Sequence, residues 1–533
     1  MLRADIRTEE HRLSSHLTDC VTTRVVVVGA GRVGLPIALA FCAAGCPVAI
    51  LETEPRRVQS LRRGALPFQE IGLEEQLQTA LASGALTISA DTALVSEADA
   101  IIVTVGTPLL PGLEADLSHV RRAAESIGPR LQSHTLVVWR STLPPGGTRM
   151  AAEWLRRSSR GRPDISIANA YCPERLAEGR AVMELGSLPQ VIGADDREAM
   201  EQATSLFNMV SPKTAATSII NAELGKIFSN AARYAEFAIG NHLALSADEL
   251  GGDYHEIRRV FTDDYPRGMG ALPGFTGGPC LRKDFALVGE RSFGPDLLTA
   301  AWRVHETTPA RLIGGMRRRQ RLEGARVAIL GLSFKADVDD LRDSLSTRLF
   351  RELEREFVDE IRASDPYQPE TITIEGVGEV RNWSTRDAIV DADVVIVAVN
   401  HSSYHRELYH DRLENGSLIV DIWNVTGKGK LFWREDRRGE TSMTASSERF
   451  AHVLRSLLRP MESTPPSGTP EWWEADLVWD LGMDSLAVME MISDLEVEFD
   501  IAIDDESITR EAIRSPSSLW ALVRSHIQDC RID

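Results

Sequence analysis

No stretch of the 533 residues approaches the run of ~20 apolar side chains that a membrane-crossing helix requires. The first twenty residues are charged and lack the apolar centre of a secretory signal. These absences predict a soluble, cytoplasmic protein with a mobile N-terminal arm over 1–20 and no membrane partner. Cysteine is scarce, and the six present (Cys20, Cys42, Cys46, Cys172, Cys280 and Cys530) keep neither metal-ligand nor disulfide-framework spacing. Reduced thiols and no bound metal are expected. Positive charge is short too: 59 Lys and Arg stand against 78 Asp and Glu, a net of −19. That balance argues against a nucleic-acid partner. The deficit is uneven, because residues 461–533 hold 17 acidic and 4 basic side chains, a net of −13 that marks a separate acidic module.

What is present is a chain of ordinary core content, 43% hydrophobic, and long enough for three or four domains. Val25-Val26-Val27-Val28 reads as a buried parallel strand. It runs into Gly29-Ala30-Gly31-Arg32-Val33-Gly34 and a small, apolar helix. A second strand, Val48 to Leu51, then ends in Glu52. Strand, glycine pattern, helix and terminal acid are the context in which a GxGxxG pattern signals a dinucleotide site. Gly29 makes the tight turn, Gly31 lets backbone approach a pyrophosphate, and Gly34 permits close helix–strand packing. Glu52 stands 18 residues beyond Gly34, where an acid bonds the adenosine ribose and favours NAD over NADP. Arg57, a cation five residues further on, weakens that preference. Further strands at Ala100–Val105 and Thr135–Val138 end in turns that hold Thr107 and Thr142, both directed at the crevice beyond the strand ends.

Tyr171 to Gly179 carries Glu174 and Glu178 in a loop entering a helix. Residues 216–250 form the longest helical pattern, with Lys226 and Asn230 one turn apart on one face. Residues 274–284, Gly-Phe-Thr-Gly-Gly-Pro-Cys-Leu-Arg-Lys-Asp, place Cys280 after the pair Gly277-Gly278, where backbone can approach a ligand. Lys283 and Asp284 follow at once, and a nearby cation favours the thiolate. From about 316 the pattern restarts as a second Rossmann-like unit without a full GxGxxG. Lys335 and Arg342 there are suited to phosphate groups. Residues 434–446 read as a linker. Beyond them, Asp480-Leu481-Gly482-Met483-Asp484-Ser485-Leu486 opens an acidic helix.

Residues 23–433 resemble the UDP-glucose/GDP-mannose dehydrogenase family, with every family block in order. The blocks are the Gly29 fingerprint, Thr107-Pro108 with Asp116, Ser141-Thr142, Pro173-Glu174 through Gly179, Ala222-Glu223-Leu224 through Asn230, Gly277 through Asp284, and Gly331 through Ser344. The resemblance implies two NAD-dependent hydride transfers that oxidise the C6 alcohol of a nucleotide sugar to a carboxylate. Cys280 would hold the intermediates as a thiohemiacetal and then a thioester. It further implies that Lys226 and Asn230 stabilise the oxyanion, that Asp284 and Thr142 handle water and protons, and that Glu174 is the acid/base residue. Glu178, Lys283 and Arg342 match positions contacting NAD, joined there by Gly29, Gly31, Gly34, Glu52, Arg57, Thr107 and Thr142. Glu174, Lys226, Asn230, Gly277, Lys335 and Arg267 match nucleotide-sugar contacts, Arg267 reaching across a homodimer.

The Cys-Pro-Glu-Arg form of the glutamate block, followed by Met183-Glu184-Leu185, is more similar to the branch acting on N-acetylhexosamine nucleotides. The cysteine block is closer to the UDP-glucose branch. Arg140, Leu281-Arg282 and His242 depart from the family pattern, and these departures bear on sugar specificity. Residues 447–531 are similar to an acyl carrier protein, with Ser485 as the bearer of 4′-phosphopantetheine. Its partners would be a phosphopantetheinyl transferase and an acyltransferase or synthase docking on the acidic helix.

The expected architecture is thus α/β, with two Rossmann-like doubly wound parallel sheets joined by a long central helix and a small all-α, four-helix carrier domain. The boundaries are 21–205 for the NAD-binding domain, 206–315 for a central helical dimerisation and catalytic region, 316–433 for the nucleotide-sugar domain, 434–446 for the linker and 447–531 for the carrier. Two alternatives to a free uronate product stand beside this reading. In one, the acyl group on Cys280 passes to the phosphopantetheine arm. In the other, the dehydrogenase oxidises an alcohol carried on that arm.

Overall fold

The computed structural model describes residues 23–110, 113–159, 166–262, 265, 270–289, 296–408, 416–434 and 450, with scattered positions between 491 and 529. Two compact units divide the chain, Met1–Glu435 and Asp436–Asp533.

The first unit contains an eight-stranded sheet of β1 (Val25–Val28), β2 (Val48–Leu51), β3 (Leu86–Ser89), β4 (Ala100–Val103), β5 (Leu136–Trp139), β6 (Ala168–Tyr171), β7 (Gln190–Ala194) and β8 (Thr214–Thr217). Their spatial order is β3-β2-β1-β4-β5-β6-β7-β8, parallel throughout except between β6 and β7. The sheet therefore runs past residue 205, because β8 continues it. All four side chains of β1, β4 and β5 are buried, as a parallel sheet covered on both faces requires. Alternate residues feed opposite layers: Val25, Val27 and Ile50 enter one core, while Val26, Val28 and Ile101 enter the other. Strand order reverses between β1 and β4, so a crevice opens beyond their carboxyl ends. Helix α1 (Gly34–Ala43) begins at that point.

Helix α2 (Ile219–Glu249) follows the sheet and, with 31 residues, is about 46 Å long. The Ser218 side chain caps it by accepting from the Asn221 amide. Helices α3 (Pro279–Gly289) and α4 (Asp296–Arg319) both pack against α2.

A second sheet comprises β9 (Arg326–Leu330), β10 (Glu360–Ser364), β13 (Val394–Val397), β14 (Leu418–Asp421) and β15 (Phe432–Trp433), with β11 (Thr371–Ile374) and β12 (Gly378–Arg381) forming a separate hairpin pair. The order is β10-β9-β13-β14-β15, with only β15 antiparallel to its neighbour. The reversal lies between β9 and β13, directly above Gly331. Gly331 has φ +91°, and a Cβ there would stand 2.4 Å from that of Val399, so no other residue fits the turn. The expected pair of Rossmann-like sheets joined by a long helix is the fold observed.

In the second unit, helix α5 (Pro516–Asp529) carries buried Leu519 and Val523. The Trp520 ring lies 5.0 Å from Phe450 and 5.6 Å from Phe499. Ser485, the linker 435–446 and most of the expected four-helix pattern lie outside the described residues. Among the described residues, no helix is long and apolar enough to cross a membrane.

Helix α2 is tied to the first sheet by one buried carboxylate. Glu223 is fully buried and accepts from the amides of Gly146 at 2.7 Å and Thr148 at 2.8 Å, at the start of the helix Gly147–Ser158. Glu223→Ala is expected to leave both amides without partners and to cost about 2–3 kcal/mol. Differential scanning fluorimetry should show a melting temperature several degrees lower.

Candidate active site

The glycine loop after β1 is shaped by contacts that only glycine permits. Gly29 has φ +101°, and a Cβ on Gly34 would lie 2.0 Å from the Gly29 carbonyl oxygen. A Cβ on Gly31 would meet nothing within 4 Å, so the space over that backbone is open to a ligand. Thr104 closes the turn from β4, its Oγ1 donating to the carbonyls of Val28 at 2.9 Å and Gly29 at 3.1 Å. Glu52 stands at the end of β2 and accepts from Ala30 N at 3.1 Å, Thr53 N at 2.8 Å and Glu54 N at 2.9 Å. Arg57 Nη1 adds an ion pair at 3.1 Å. Burial alone would raise the Glu52 carboxyl, but the amides of Glu54 and Ala30 and the Arg57 guanidinium outweigh it and hold the group below its ordinary range. An ionised acceptor beside an open glycine loop fits the adenosine end of NAD.

Beyond β4 and β5 the expected threonines meet. Thr107 Oγ1 donates to the Thr142 carbonyl at 2.8 Å, and Lys283 Nζ reaches Thr107 Oγ1 at 3.1 Å. This contact joins α3 to the first sheet across 176 residues of sequence.

Cys280 and Asp284 lie one turn apart on α3. Asp284 has no exposed surface, and its Oδ2 accepts from Asn230 Nδ2 at 2.6 Å, with Lys226 Nζ at 3.5 Å. Its Oδ1 has no hydrogen-bond partner in the protein. Lys226 and Asn230, i and i+4 on α2, therefore converge with Asp284, as their spacing allows.

The expectation of a readily formed thiolate is overturned. Cys280 is open to solvent, yet the crevice wall around it is dense enough that desolvation is the largest influence on its thiol. The charges of Lys283 and Lys226 favour the thiolate, while Asp284 and Glu178 oppose it, and the thiol ends above its ordinary value.

The glycine pair before it also serves a purpose other than ligand approach. A Cβ on Gly277 would lie 2.4 Å from the Asp343 carbonyl oxygen, and one on Gly278 2.4 Å from the Phe334 ring. Gly278 N donates to Asp343 O at 3.1 Å. The pair thus lets the cysteine loop seat against the loop after β9. At the other end, Asn241 holds Gly274 by both backbone groups, donating to its carbonyl at 2.8 Å and accepting from its amide at 2.7 Å. His305 backs that contact, stacked on Tyr234 with ring centroids 4.1 Å apart.

Glu174 is bound tightly to Arg140, which is fully buried. Arg140 Nε and Nη2 stand 2.9 and 2.7 Å from Glu174 Oε2, and the amides of Arg175 and Leu176 donate to Oε1 at 2.7 Å each. Glu178 pairs with Arg32 at 2.8 Å, and Lys335 donates to its carbonyl oxygen. Burial raises the Glu178 carboxyl to about 7, against the pull of Arg32, Arg342 and Lys335. Arg342 is pointed into solvent and held by Asp340 at 3.0 Å. Arg267 lies outside the described residues. Among the described residues no cluster of metal-ligating side chains occurs.

The sequence did not single out Thr104, Asn241 as the clamp on Gly274, or Arg32. Thr104 carried a usable signal, since it ends the strand that a doubly wound order places beside the glycine loop.

Three family models of the UDP-glucose/GDP-mannose dehydrogenase family match in order: the NAD binding domain at 23–211, the central domain at 220–304 and the UDP binding domain at 328–428. The chain belongs to this family. A phosphopantetheine attachment site model matches 467–523. The NDP-N-acetyl-D-galactosaminuronic acid dehydrogenase of Ralstonia nicotianae is 29% identical over 419 residues, covering 75% of this chain and 96% of that protein. The UDP-N-acetyl-D-mannosamine dehydrogenase of Yersinia pestis is 29% identical over 432 residues, covering 77% and 99%. Among solved structures, the UDP-glucose dehydrogenase of Pyrobaculum islandicum superposes with a TM-score of 0.69 at 27% identity, over 76% of this chain and 96% of that one. The protein is accordingly an NAD-dependent nucleotide-sugar dehydrogenase that carries a phosphopantetheine attachment domain.

The raised Cys280 thiol sets a test. Its alkylation by iodoacetamide in the cofactor-free protein should keep climbing with pH past the point where an ordinary thiol levels off, because desolvation disfavours the thiolate. A thiol of ordinary pKa, about 8.5, levels off near that value. Mass spectrometry of the Cys280 peptide gives the rates.

Proposed function

We propose that the protein is a cytoplasmic enzyme that oxidises the C6 alcohol of a UDP-linked N-acetylhexosamine to the uronate. The observation that carries this reading is the convergence of Lys226, Asn230 and Asp284 beside Cys280. The sugar class draws on the named activities of the relatives from Ralstonia and Yersinia and on the Cys172-Pro173-Glu174-Arg175 block.

Gly29, Gly31, Gly34 and Glu52 would hold NAD, which would supply the hydride acceptor for both oxidations. Loss of hydride and a proton from the alcohol gives an aldehyde. The Cys280 sulfur then forms a bond to the aldehyde carbon, its proton passing to the carbonyl oxygen, to give a thiohemiacetal. The thiohemiacetal carbon then loses a hydride and its hydroxyl a proton, giving a thioester. Water attacks the thioester carbon, the C–S bond breaks, and the thiol and carboxylate are restored. Lys226 and Asn230 donate to the oxyanion that develops at each stage, and their contacts with Asp284 hold them oriented beforehand. Asp284, with one oxygen unpartnered, receives the proton of the attacking water, while Thr142 lines its approach. To carry protons Glu174 must first release Arg140, so its part in this reading is to fix the loop that presents Glu178. Lys335 serves the substrate nucleotide, and Arg342 and Lys283 the cofactor, while Gly277 admits the Asp343 carbonyl instead of a ligand.

Ser485 bears the phosphopantetheine arm in this reading. The attachment domain in the same chain gives the Cys280 thioester a second acceptor: the arm thiol in place of water, with the C–S bond to Cys280 exchanged for one to the arm. A second copy of the chain is the natural cover for exposed Ile220, Phe228, Ile239 and Leu243 along α2.

Incubating the holo-protein with UDP-N-acetylhexosamines and excess NAD should release two NADH per sugar consumed. Lys226→Ala should lower kcat by roughly 10²–10³. One NADH per sugar with free aldehyde, or no turnover on any UDP-sugar, would refute the reading. Intact mass of the carrier domain separates release as uronate from loading onto Ser485.

A further inference from the structure

Arg32 occupies the fingerprint loop, immediately after the glycine whose backbone is open to the cofactor, and nothing in the oxidation chemistry uses it. Its guanidinium spans two carboxylates: Nη1 lies 2.8 Å from Glu178 Oε1 and Nη2 2.7 Å from Asp339 Oδ1. Asp339 belongs to the loop after β9, 307 residues away and in the other Rossmann-like domain. The face of the guanidinium rests on the Phe68 ring, 5.0 Å from its centroid. Isolated surface ion pairs contribute little, because water and salt screen them. Here all three side chains are less than a quarter exposed, one ordered cation serves both acids, and an aromatic ring fixes its plane.

The surroundings tie each acid to a nucleotide-binding loop. Glu178 sits in a segment held by Glu70, which accepts from Gly179 N at 2.9 Å and Ala181 N at 2.8 Å. Lys335, from the loop of the second domain, donates to the Glu178 carbonyl. The Asp339 carbonyl accepts from Gln368 Nε2 at 2.7 Å, and its Oδ2 accepts from Gln69 N at 3.3 Å. Arg32 therefore joins the loop that faces NAD to the loop that carries Lys335 and Arg342.

We propose that Arg32 is a positioning residue that couples the two nucleotide sites, so that a nucleotide bound to the second domain tightens NAD binding to the first through the Glu178–Arg32–Asp339 clamp. The inference rests on one domain binding NAD and the other a uridine nucleotide. Closing the clamp orders the fingerprint loop before NAD arrives, which removes part of the ordering cost of binding. By linkage, NAD tightens the uridine nucleotide by the same factor.

Isothermal titration calorimetry of the full-length protein tests this, with NAD titrated in the absence and presence of saturating UDP. The wild-type protein is expected to bind NAD at least about fivefold more tightly with UDP present, the lower end of typical coupling. Arg32→Ala should bring that ratio to within twofold of one. Asp339→Asn should do the same, and since Asp339 lies on the second domain, lost attraction between Arg32 and the NAD phosphates cannot account for it. Equal melting temperatures for Asp339→Asn and wild type keep the comparison free of unfolding. A wild-type ratio below twofold, or wild-type coupling retained in Asp339→Asn, overturns the clamp while leaving both binding sites standing. Failure of either nucleotide to bind the wild-type protein overturns the reading of the domains and the clamp with it.

Discussion

A carboxylate with no exposed surface is tolerable only if neighbours hold it, and Asp284 is held by Asn230 and Lys226. That requirement fixes the register of α3 against α2. Because Cys280 is one turn from Asp284 on the same helix, it also fixes the sulfur relative to the Lys226 ammonium and the Asn230 amide. Removing Asn230 would leave the buried Asp284 carboxylate without its hydrogen bond, so the site and the helix packing depend on each other.

The long helix α2 distributes such constraints along its length. Glu223 near its start binds the first sheet, Lys226 and Asn230 build the site, and Asn241 two turns beyond Tyr234 clamps the cysteine loop through Gly274. The loop's other end meets the second domain, where Gly277 and Gly278 admit the Asp343 carbonyl and the Phe334 ring. The cysteine loop is in this way held by α2 at one end and by the second domain at the other.

Much of this was legible in sequence because it depends on local chemistry. A run of four valines, a glycine turn and an acid at the next strand end specify one βαβ unit and its crevice. The i, i+4 spacing of Lys226 and Asn230 and of Cys280 and Asp284 specifies which side chains share a face. What sequence could not supply are contacts between distant segments. Lys283 beside Cys280 suggested a thiolate, but desolvation outweighs the charge. Gly277 and Gly278 looked like room for a ligand, and the room is filled by Phe334 and Asp343. Arg140 and Glu174 are 34 residues apart and Arg32 and Asp339 are 307 apart, so neither pair is visible from spacing.

The central claim is that the oxidation runs through a covalent bond to Cys280 and that Asp284 is needed to break it. Asp284→Asn, mixed with a turned-over UDP-N-acetylhexosamine and NAD and acid-quenched on the seconds timescale, tests it directly by intact mass spectrometry. The account predicts an acyl adduct of the nucleotide sugar on Cys280 that accumulates to a large fraction of the protein and is absent in Cys280→Ser. Full oxidation to uronate by Cys280→Ser, or turnover of Asp284→Asn at the wild-type rate with no adduct, would contradict it.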